Sequence, residues 1–112
     1  MRILLWDIDG TLIRSVRTGA YKDYTIPVLE EIFGTAGRLA DMRVSGMTDL
    51  QIVFEALRDA GISQDQILAQ SEMLVSRLTE EARRVTGNGE KFFELLPGVR
   101  DTLEALAAHP RY

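Results

Sequence analysis

The stretch Ile3-Leu4-Leu5-Trp6-Asp7-Ile8-Asp9-Gly10-Thr11 says most about the fold of this chain. Its first four residues are apolar at every position. Such a run without alternation is typical of a strand buried on both faces, as in a parallel sheet covered by helices. Asp7 and Asp9 then emerge at the carboxyl end of that strand, which is where open α/β sheets bind ligands. The sequence therefore predicts an α/β fold with a site at residues 7–11.

The two acids of this stretch constrain the chemistry of the site. Asp7 and Asp9 repel each other, so the pair needs a compensating cation, or one acid must stay protonated as a proton donor. Gly10 lets the backbone turn sharply, and Thr11 adds a hydroxyl group at the same place. A receiver-type acidic pocket would account for the acids but gives no reason for Gly10 and Thr11.

An EF-hand calcium loop also begins Asp-x-Asp, but this sequence does not continue as one. That loop needs a third acid or amide, then a glycine, and a closing glutamate. Thr11, Leu12 and Thr18 stand at those places. We therefore exclude the calcium loop.

Asp7, Asp9, Gly10 and Thr11 resemble the first motif of the haloacid dehalogenase-like hydrolase superfamily, which is Asp-x-Asp-Gly-Thr after an N-terminal strand. The resemblance implies that Asp7 is a nucleophile that becomes an aspartyl-phosphate, and that Asp9 is the general acid and base. It also implies Mg²⁺ on the Asp7 carboxylate and the Asp9 backbone carbonyl, and phosphate binding by Gly10 and Thr11. Similar dehalogenases and phosphonatases lack the second acid, so Asp9 favours phosphate monoesters or phosphoryl transfer between sugar hydroxyls.

The order of segments also resembles this superfamily, in the branch of phosphoglycolate phosphatase and β-phosphoglucomutase. Members of that branch have a Rossmann-like parallel sheet with an inserted α-helical cap. The resemblance implies a core over 1–14, a helical cap over 15–94 and a return to the core over 95–112, through Leu96-Pro97-Gly98-Val99. Only the first strand and one return helix of the core would be present here.

A loop of the predicted cap supplies further candidates. The stretch Arg43 to Asp49 lies at a joint between two predicted helices, and in similar caps such a loop closes over the active site and contacts the substrate. Arg43, Gly46 and Thr48 are therefore candidate substrate-binding residues. The competing interpretation is that Thr48 simply caps a helix and Arg43 is a surface residue.

Helical periodicity and capping signals predict most of the remaining chain to be helical. The first helix, 18–33, should be kinked or divided by Pro27, with Thr25 as a cap of the second half. A second helix follows Thr48 and ends at Gly61. A capping box of Ser63 and Gln66 begins a long helix that reaches Val85.

The C-terminal part of the sequence predicts one further helix after Pro97 and Gly98, ended by His109 and Pro110. Its inward face should consist of Val99, Leu103 and Leu106. His109 is most simply a residue at the end of that helix. The segment 87–89 before it is predicted to be a joint, followed by packing residues Phe92 and Phe93.

Composition excludes several classes of protein. The chain has 112 residues, 46% of them hydrophobic, a formal charge of −4 and no cysteine. The acidic balance argues against nucleic-acid binding, and no apolar run is long enough to span a membrane. The lack of cysteine excludes disulfides and thiolate metal sites, and is consistent with a cytoplasmic protein.

The sequence lacks three later elements of the superfamily. These are a Ser or Thr that grips the phosphoryl group, a Lys that balances the nucleophile, and an acidic motif that completes the metal site. Lys22 and Lys91 are the only lysines, and neither stands where the motif Lys belongs. We therefore expect this chain to be inactive by itself, as the N-terminal part of a longer protein or a half completed by another chain, such as a homodimer.

The leading hypothesis is a magnesium-dependent phosphatase that hydrolyses a small phosphorylated metabolite. A sugar phosphomutase of the same superfamily would use the same residues but return the phosphoryl group to a sugar. The non-enzymatic alternative is a truncated binding or interaction module.

Overall fold

The structure is a computed structural model that describes residues 2–16, 20–87 and 93–112. It is mixed α/β and mostly helical, with a small two-stranded antiparallel sheet in its described part. The elements follow in the order β1 (Ile13–Ser15), α1 (Ala20–Phe33), α2 (Asp49–Leu57), α3 (Gln64–Ala69), α4 (Ser71–Thr86), β2 (Phe93–Leu95) and α5 (Val99–Ala107). Single 3₁₀ turns lie at Leu39–Asp41 and Arg58–Ala60. Predictions made for Thr18, Asn88, Gly89, Lys91 and Phe92 lie outside the described residues.

The chain divides into two compact units. The first contains Met1–Thr18 and Lys91–Tyr112, and the second contains Gly19–Glu90. The assignment of these parts as a core, a cap and a return to the core stays a prediction.

The first unit is built around the pairing of β1 with β2. Ile13 lies opposite Leu95, Arg14 opposite Glu94 and Ser15 opposite Phe93. The Arg14 guanidinium forms an ion pair with Glu94 across this ladder. The amide of Leu96 then donates to the carbonyl of Leu12, which extends the pairing by one more bond. The two distant segments of the first unit are thereby joined just after the Asp7–Thr11 motif.

The strand predicted over Ile3–Trp6 is wrong for this chain. Residues 2–8 have no regular secondary structure, and the side chains of Ile3 and Leu5 are 76% and 94% exposed. A strand exists only when a neighbouring strand satisfies its backbone groups, and no described residue forms a strand ladder with Ile3–Trp6. The parallel sheet expected from it is therefore not formed by the described residues, whose sheet is antiparallel.

The second unit contains the hydrophobic core. Helix α1 packs against α4 and against the 3₁₀ turn at Leu39–Asp41. Helix α2 contacts that turn and α3, and α3 contacts α4. The buried core residues are Val28, Leu29, Leu39, Ile52, Val53, Ala56, Leu57, Ile67 and Leu74. Burying such side chains contributes about 1.5–3 kcal/mol each, so this unit has a strong driving force for folding.

The prediction that Pro27 divides the first helix is wrong. Helix α1 runs unbroken through Pro27, and Thr25 is not a cap, because its hydroxyl donates to the carbonyl of Tyr21 at 2.7 Å. An interior proline costs about 3 kcal/mol. Burial of Val28 and Leu29, both completely inaccessible to solvent, offsets that cost.

Two further helix predictions need correction. The helix predicted from Ser63 to Val85 is divided at Gln70 into α3 and α4, because Gln70 leaves the helical conformation with φ −104° and ψ 11°. Leu103 of α5 was expected to face inward but is 39% exposed. Val99 and Leu106 are half-buried, so the described residues cover that face only in part.

Candidate functional site

The Asp7–Thr11 motif forms a closed turn around the carbonyl oxygen of Ile8. That oxygen accepts hydrogen bonds from the amides of Thr11, Leu12 and Ile13, at 3.3, 2.9 and 3.1 Å. The amide of Gly10 donates in the opposite direction, to the Ile13 carbonyl at 2.8 Å. The motif is thus held by its own backbone, directly before β1.

Gly10 makes this turn possible. Its φ is +79°, in the left-handed region that glycine enters at little cost. A β-carbon at this position would meet no atom within 4 Å, so the requirement for glycine is conformational rather than steric. The sequence-based expectation of a sharp turn at Gly10 is confirmed.

Asp7 and Asp9 flank the carbonyl at the centre of the turn, and both are exposed. Neither residue donates or accepts any of the backbone hydrogen bonds that close the turn. The amides of Gly10 and Thr11 are both used in hydrogen bonds of the turn. The Thr11 hydroxyl is therefore the donor that these two residues still offer to a ligand. The turn therefore offers two carboxylates, the Asp9 carbonyl and one hydroxyl group.

This set of donors fits a magnesium ion. Mg²⁺ prefers oxygen ligands and is usually held by one or two carboxylates together with water and phosphate oxygens. The Asp7 carboxylate and the Asp9 carbonyl are oxygens of that kind on an exposed turn. Among the described residues, no group of three or more His, Cys, Asp or Glu side chains gathers in one place.

The second group of candidates lies in the second unit, on the segment that leads into α2. Thr48 is the N-cap of α2 and accepts a hydrogen bond from the Gln51 amide at 3.4 Å, which confirms the predicted cap. Gly46 has φ +77° and forms the turn closed by the Met47 amide on the Val44 carbonyl at 3.2 Å. Thr48 therefore has a structural role whether or not it contacts a substrate.

Arg43 lines an open groove of about 420 Å³ beside this segment. The groove is also lined by the charged side chains of Arg38, Asp41 and Glu55 and by Gln51. Glu55 accepts from Arg38 at 3.3 Å and also pairs with Arg58. Arg43 is exposed and makes no hydrogen bond or ion pair with any described residue, so its guanidinium remains available to an anion.

Sequence reasoning did not find two residues that hold this segment. Lys22 of α1 donates from Nζ to the carbonyls of Ala40 and Met42, at 2.8 and 2.6 Å. Tyr21 donates from its hydroxyl to Asp49 Oδ1 at 3.3 Å. No local pattern could have revealed these contacts, because they join residues 18 to 28 positions apart.

The predicted site residues are thus distributed over both units. Asp7, Asp9, Gly10 and Thr11 lie in the first, whereas Arg43, Gly46 and Thr48 lie in the second. No helix among the described residues combines the length and the apolar composition that crossing a membrane requires. Neither a protein-family model nor a curated protein matches this sequence.

Proposed function

We propose that this protein is a magnesium-dependent phosphatase of the haloacid dehalogenase-like superfamily. The observation that carries the proposal is the self-closed turn at residues 7–11, which leaves both carboxylates exposed and free of the backbone hydrogen bonds that close it. Asp7 and Asp9, separated by one residue, would supply a nucleophile and a proton-transfer group at the same place.

In the proposed reaction, a carboxylate oxygen of Asp7 attacks the phosphorus atom of a phosphate monoester. The bond between phosphorus and the ester oxygen breaks, and the leaving oxygen takes a proton from Asp9. The Asp9 carboxylate then removes a proton from a water molecule, which attacks phosphorus and breaks its bond to Asp7. The products are an alcohol and inorganic phosphate, with both acids restored.

A magnesium ion held by the Asp7 carboxylate and the Asp9 carbonyl would offset the repulsion between the nucleophile and the phosphoryl oxygens. The Thr11 hydroxyl can donate to one of those oxygens. The proposal also implies the parallel, Rossmann-like sheet and the inserted helical cap that the resemblance to the superfamily predicts. The substrate of the protein would be a small phosphorylated metabolite, and its compartment the cytoplasm.

The test is a screen of small phosphate esters with the protein, with Mg²⁺ and with a chelator. We expect metal-dependent release of phosphate that Asp7→Asn abolishes. Mass spectrometry should also find a phosphoryl group on the peptide containing Asp7, accumulating in Asp9→Asn, because the intermediate then lacks its general base. Asp59→Asn is the matched control, since Asp59 is an exposed acid outside both candidate groups.

Turnover retained in Asp7→Asn would refute the role of Asp7. Transfer of the phosphoryl group to another sugar hydroxyl, instead of release as phosphate, would identify a phosphomutase. Absence of turnover and of phosphorylated Asp7 over the whole screen would favour a non-catalytic binding module.

A further inference from the structure

The first residue of β1, Ile13, belongs both to the turn that carries the two acids and to the ladder of β1 and β2. Its amide donates to the Ile8 carbonyl at 3.1 Å, and its carbonyl accepts from the Gly10 amide at 2.8 Å. These are the peptide groups on either side of Asp9, so the backbone of Asp9 forms a parallel bridge with Ile13. Across its other edge, Ile13 lies opposite Leu95 of β2. The backbone conformation of Asp9 therefore depends on where β1 is held.

Leu12 makes a second connection between the turn and β2. Its amide donates to the Ile8 carbonyl at 2.9 Å, and its carbonyl accepts from the Leu96 amide at 3.0 Å. One residue thus closes the turn with one backbone group and extends the ladder with the other. The ladder has only three residue pairs, and a two-stranded pair of this size is marginally stable in water. Side chains that stabilise the ladder therefore also stabilise the turn.

The central pair of the ladder is an ion pair. Arg14 lies opposite Glu94, and its Nε donates to the Glu94 carboxylate. Opposite charges that face each other across antiparallel strands stabilise the pairing. The Glu94 side chain is only 27% exposed, so solvent and salt screen this pair less than a fully exposed one. The ion pair lies next to the pair that contains Ile13, the residue that bridges to Asp9.

We propose that Arg14 and Glu94 are positioning residues, whose ion pair holds β1 against β2 and thereby fixes the backbone of Asp9. They act through Ile13, and all of these contacts lie within the first unit. The consequence for catalysis rests on the proposed function, in which Asp9 transfers a proton and must lie within hydrogen-bonding reach of it. The consequence for the turn does not, and it can be measured without a substrate.

Amide exchange followed by nuclear magnetic resonance tests whether the ion pair holds the turn. The amides of Gly10, Leu12 and Ile13 close the turn, so their exchange rates report on its order. Glu94→Gln keeps the shape of the side chain and removes its charge, and Arg14→Met keeps the aliphatic stem. We expect these three amides to exchange roughly two- to fivefold faster in each variant, as loss of one cross-strand ion pair predicts.

The reversed double variant, Arg14→Glu with Glu94→Arg, should restore slow exchange, because opposite charges again face each other. Arg100→Met and Glu104→Gln are the charge-matched controls, since both residues are exposed on α5, in the same unit but outside the ladder. Unchanged exchange of the turn in both single variants would overturn the proposal, as would a reversed variant that exchanges no more slowly than they do. An equal increase in the helices of the second unit would also overturn it, because it would indicate general destabilisation.

Kinetics on the substrate found by the screen test the consequence for catalysis. Glu94→Gln should lower kcat roughly two- to fivefold, because the ordered turn is less populated, while KM changes little. The reversed double variant should regain kcat. A change in KM alone, or an equal fall of kcat in Glu104→Gln, would overturn the proposal. If the wild-type protein turns over no phosphate ester, the proposed function fails, and the exchange experiment still decides whether the ion pair holds the turn.

Discussion

At the scale of single residues, Gly37 is the position where one added atom should do the greatest harm. Its φ is +55°, and a β-carbon built there would lie 1.9 Å from the carbonyl oxygen of Ala56 in α2. The Arg38 amide donates to that same carbonyl at 3.1 Å. The chain leaving α1 therefore lies directly on α2.

We expect Gly37→Ala to lower the free energy of unfolding by about 2–5 kcal/mol, from backbone strain and overpacking together. Gly34→Ala is the matched control. Gly34 has φ +78°, but a β-carbon built there would meet open space. The change Gly34→Ala should therefore cost only the penalty of the left-handed conformation, about 1–2 kcal/mol. Urea unfolding of both variants, followed by circular dichroism, measures the difference. Equal destabilisation would show that contact with Ala56 is not the reason for glycine at position 37.

At the scale of elements, the sequence predicted features that depend on neighbouring residues. The capping box is present, with the Ser63 amide donating to Gln66 Oε1 at 2.8 Å and the Gln66 amide donating to Ser63 Oγ at 3.2 Å. The helix predicted to end at Gly61 ends at Leu57, and Gly61, with φ +78°, ends the 3₁₀ turn Arg58–Ala60 that follows it. Such signals can be recognised because donor, acceptor and backbone conformation lie within a few residues of each other.

Predictions that depended on distant partners were wrong. Ile3–Trp6 has the composition of a buried strand, but strand formation depends on a neighbour that local composition does not specify. The continuity of α1 through Pro27 depends on burial of Val28 and Leu29 in the core, which no pattern around the proline specifies. Asp7 and Asp9 of the candidate site could be chosen from the sequence. The contacts of Tyr21 and Lys22 could not, because their partners lie 18 to 28 residues away.

Helix α4 is joined to α1 by a network of ion pairs, and this network should make the stability of the second unit depend on pH. Arg77 of α4 binds Glu31 of α1 at 2.9 Å and also pairs with Glu80 and Glu81, and Arg84 binds Glu81 at 2.8 Å. The hydrogen bond from Arg84 is the main reason why the pKa of Glu81 lies below its ordinary value of 4.5. A carboxyl group with a lowered pKa stabilises the folded state above its unfolded pKa, and this stabilisation is lost as the pH falls through the folded pKa.

Glu81→Gln should therefore lower the thermal midpoint at neutral pH, and the difference from wild type should shrink as the pH falls below 4.5. Thermal unfolding followed by circular dichroism over that pH range measures it. Glu30→Gln on α1 removes the same charge from an exposed residue that forms no ion pair with the described residues. A difference for Glu81→Gln that stays constant with pH, or one matched by Glu30→Gln, would contradict the explanation.

At the scale of the whole molecule, the two units differ in what holds them together. Every core residue that the structure describes as buried lies in the second unit, between Val28 and Val85. The described residues of the first unit, 2–16 and 93–112, are exposed or half-buried. Their regular structure is one short antiparallel pair and α5, and a two-stranded pair of this kind is marginally stable in water. The residues proposed for catalysis thus lie on the less stable unit, whereas Arg43 lies on the more stable one.

The single tryptophan allows this difference to be measured. Trp6 lies in the first unit and is 42% exposed, whereas the helices seen by far-ultraviolet circular dichroism lie mainly in the second. We expect urea to change Trp6 fluorescence gradually and at lower concentration than the cooperative loss of helix, because little buried apolar surface opposes opening of the first unit. The double variant Trp6→Phe, Phe54→Trp moves the reporter onto α2, beside the core, and its emission should follow the helical transition. Coincidence of the Trp6 and helical transitions in the original chain would show that both units unfold as one cooperative structure, and would contradict the assignment of its stability to the second unit.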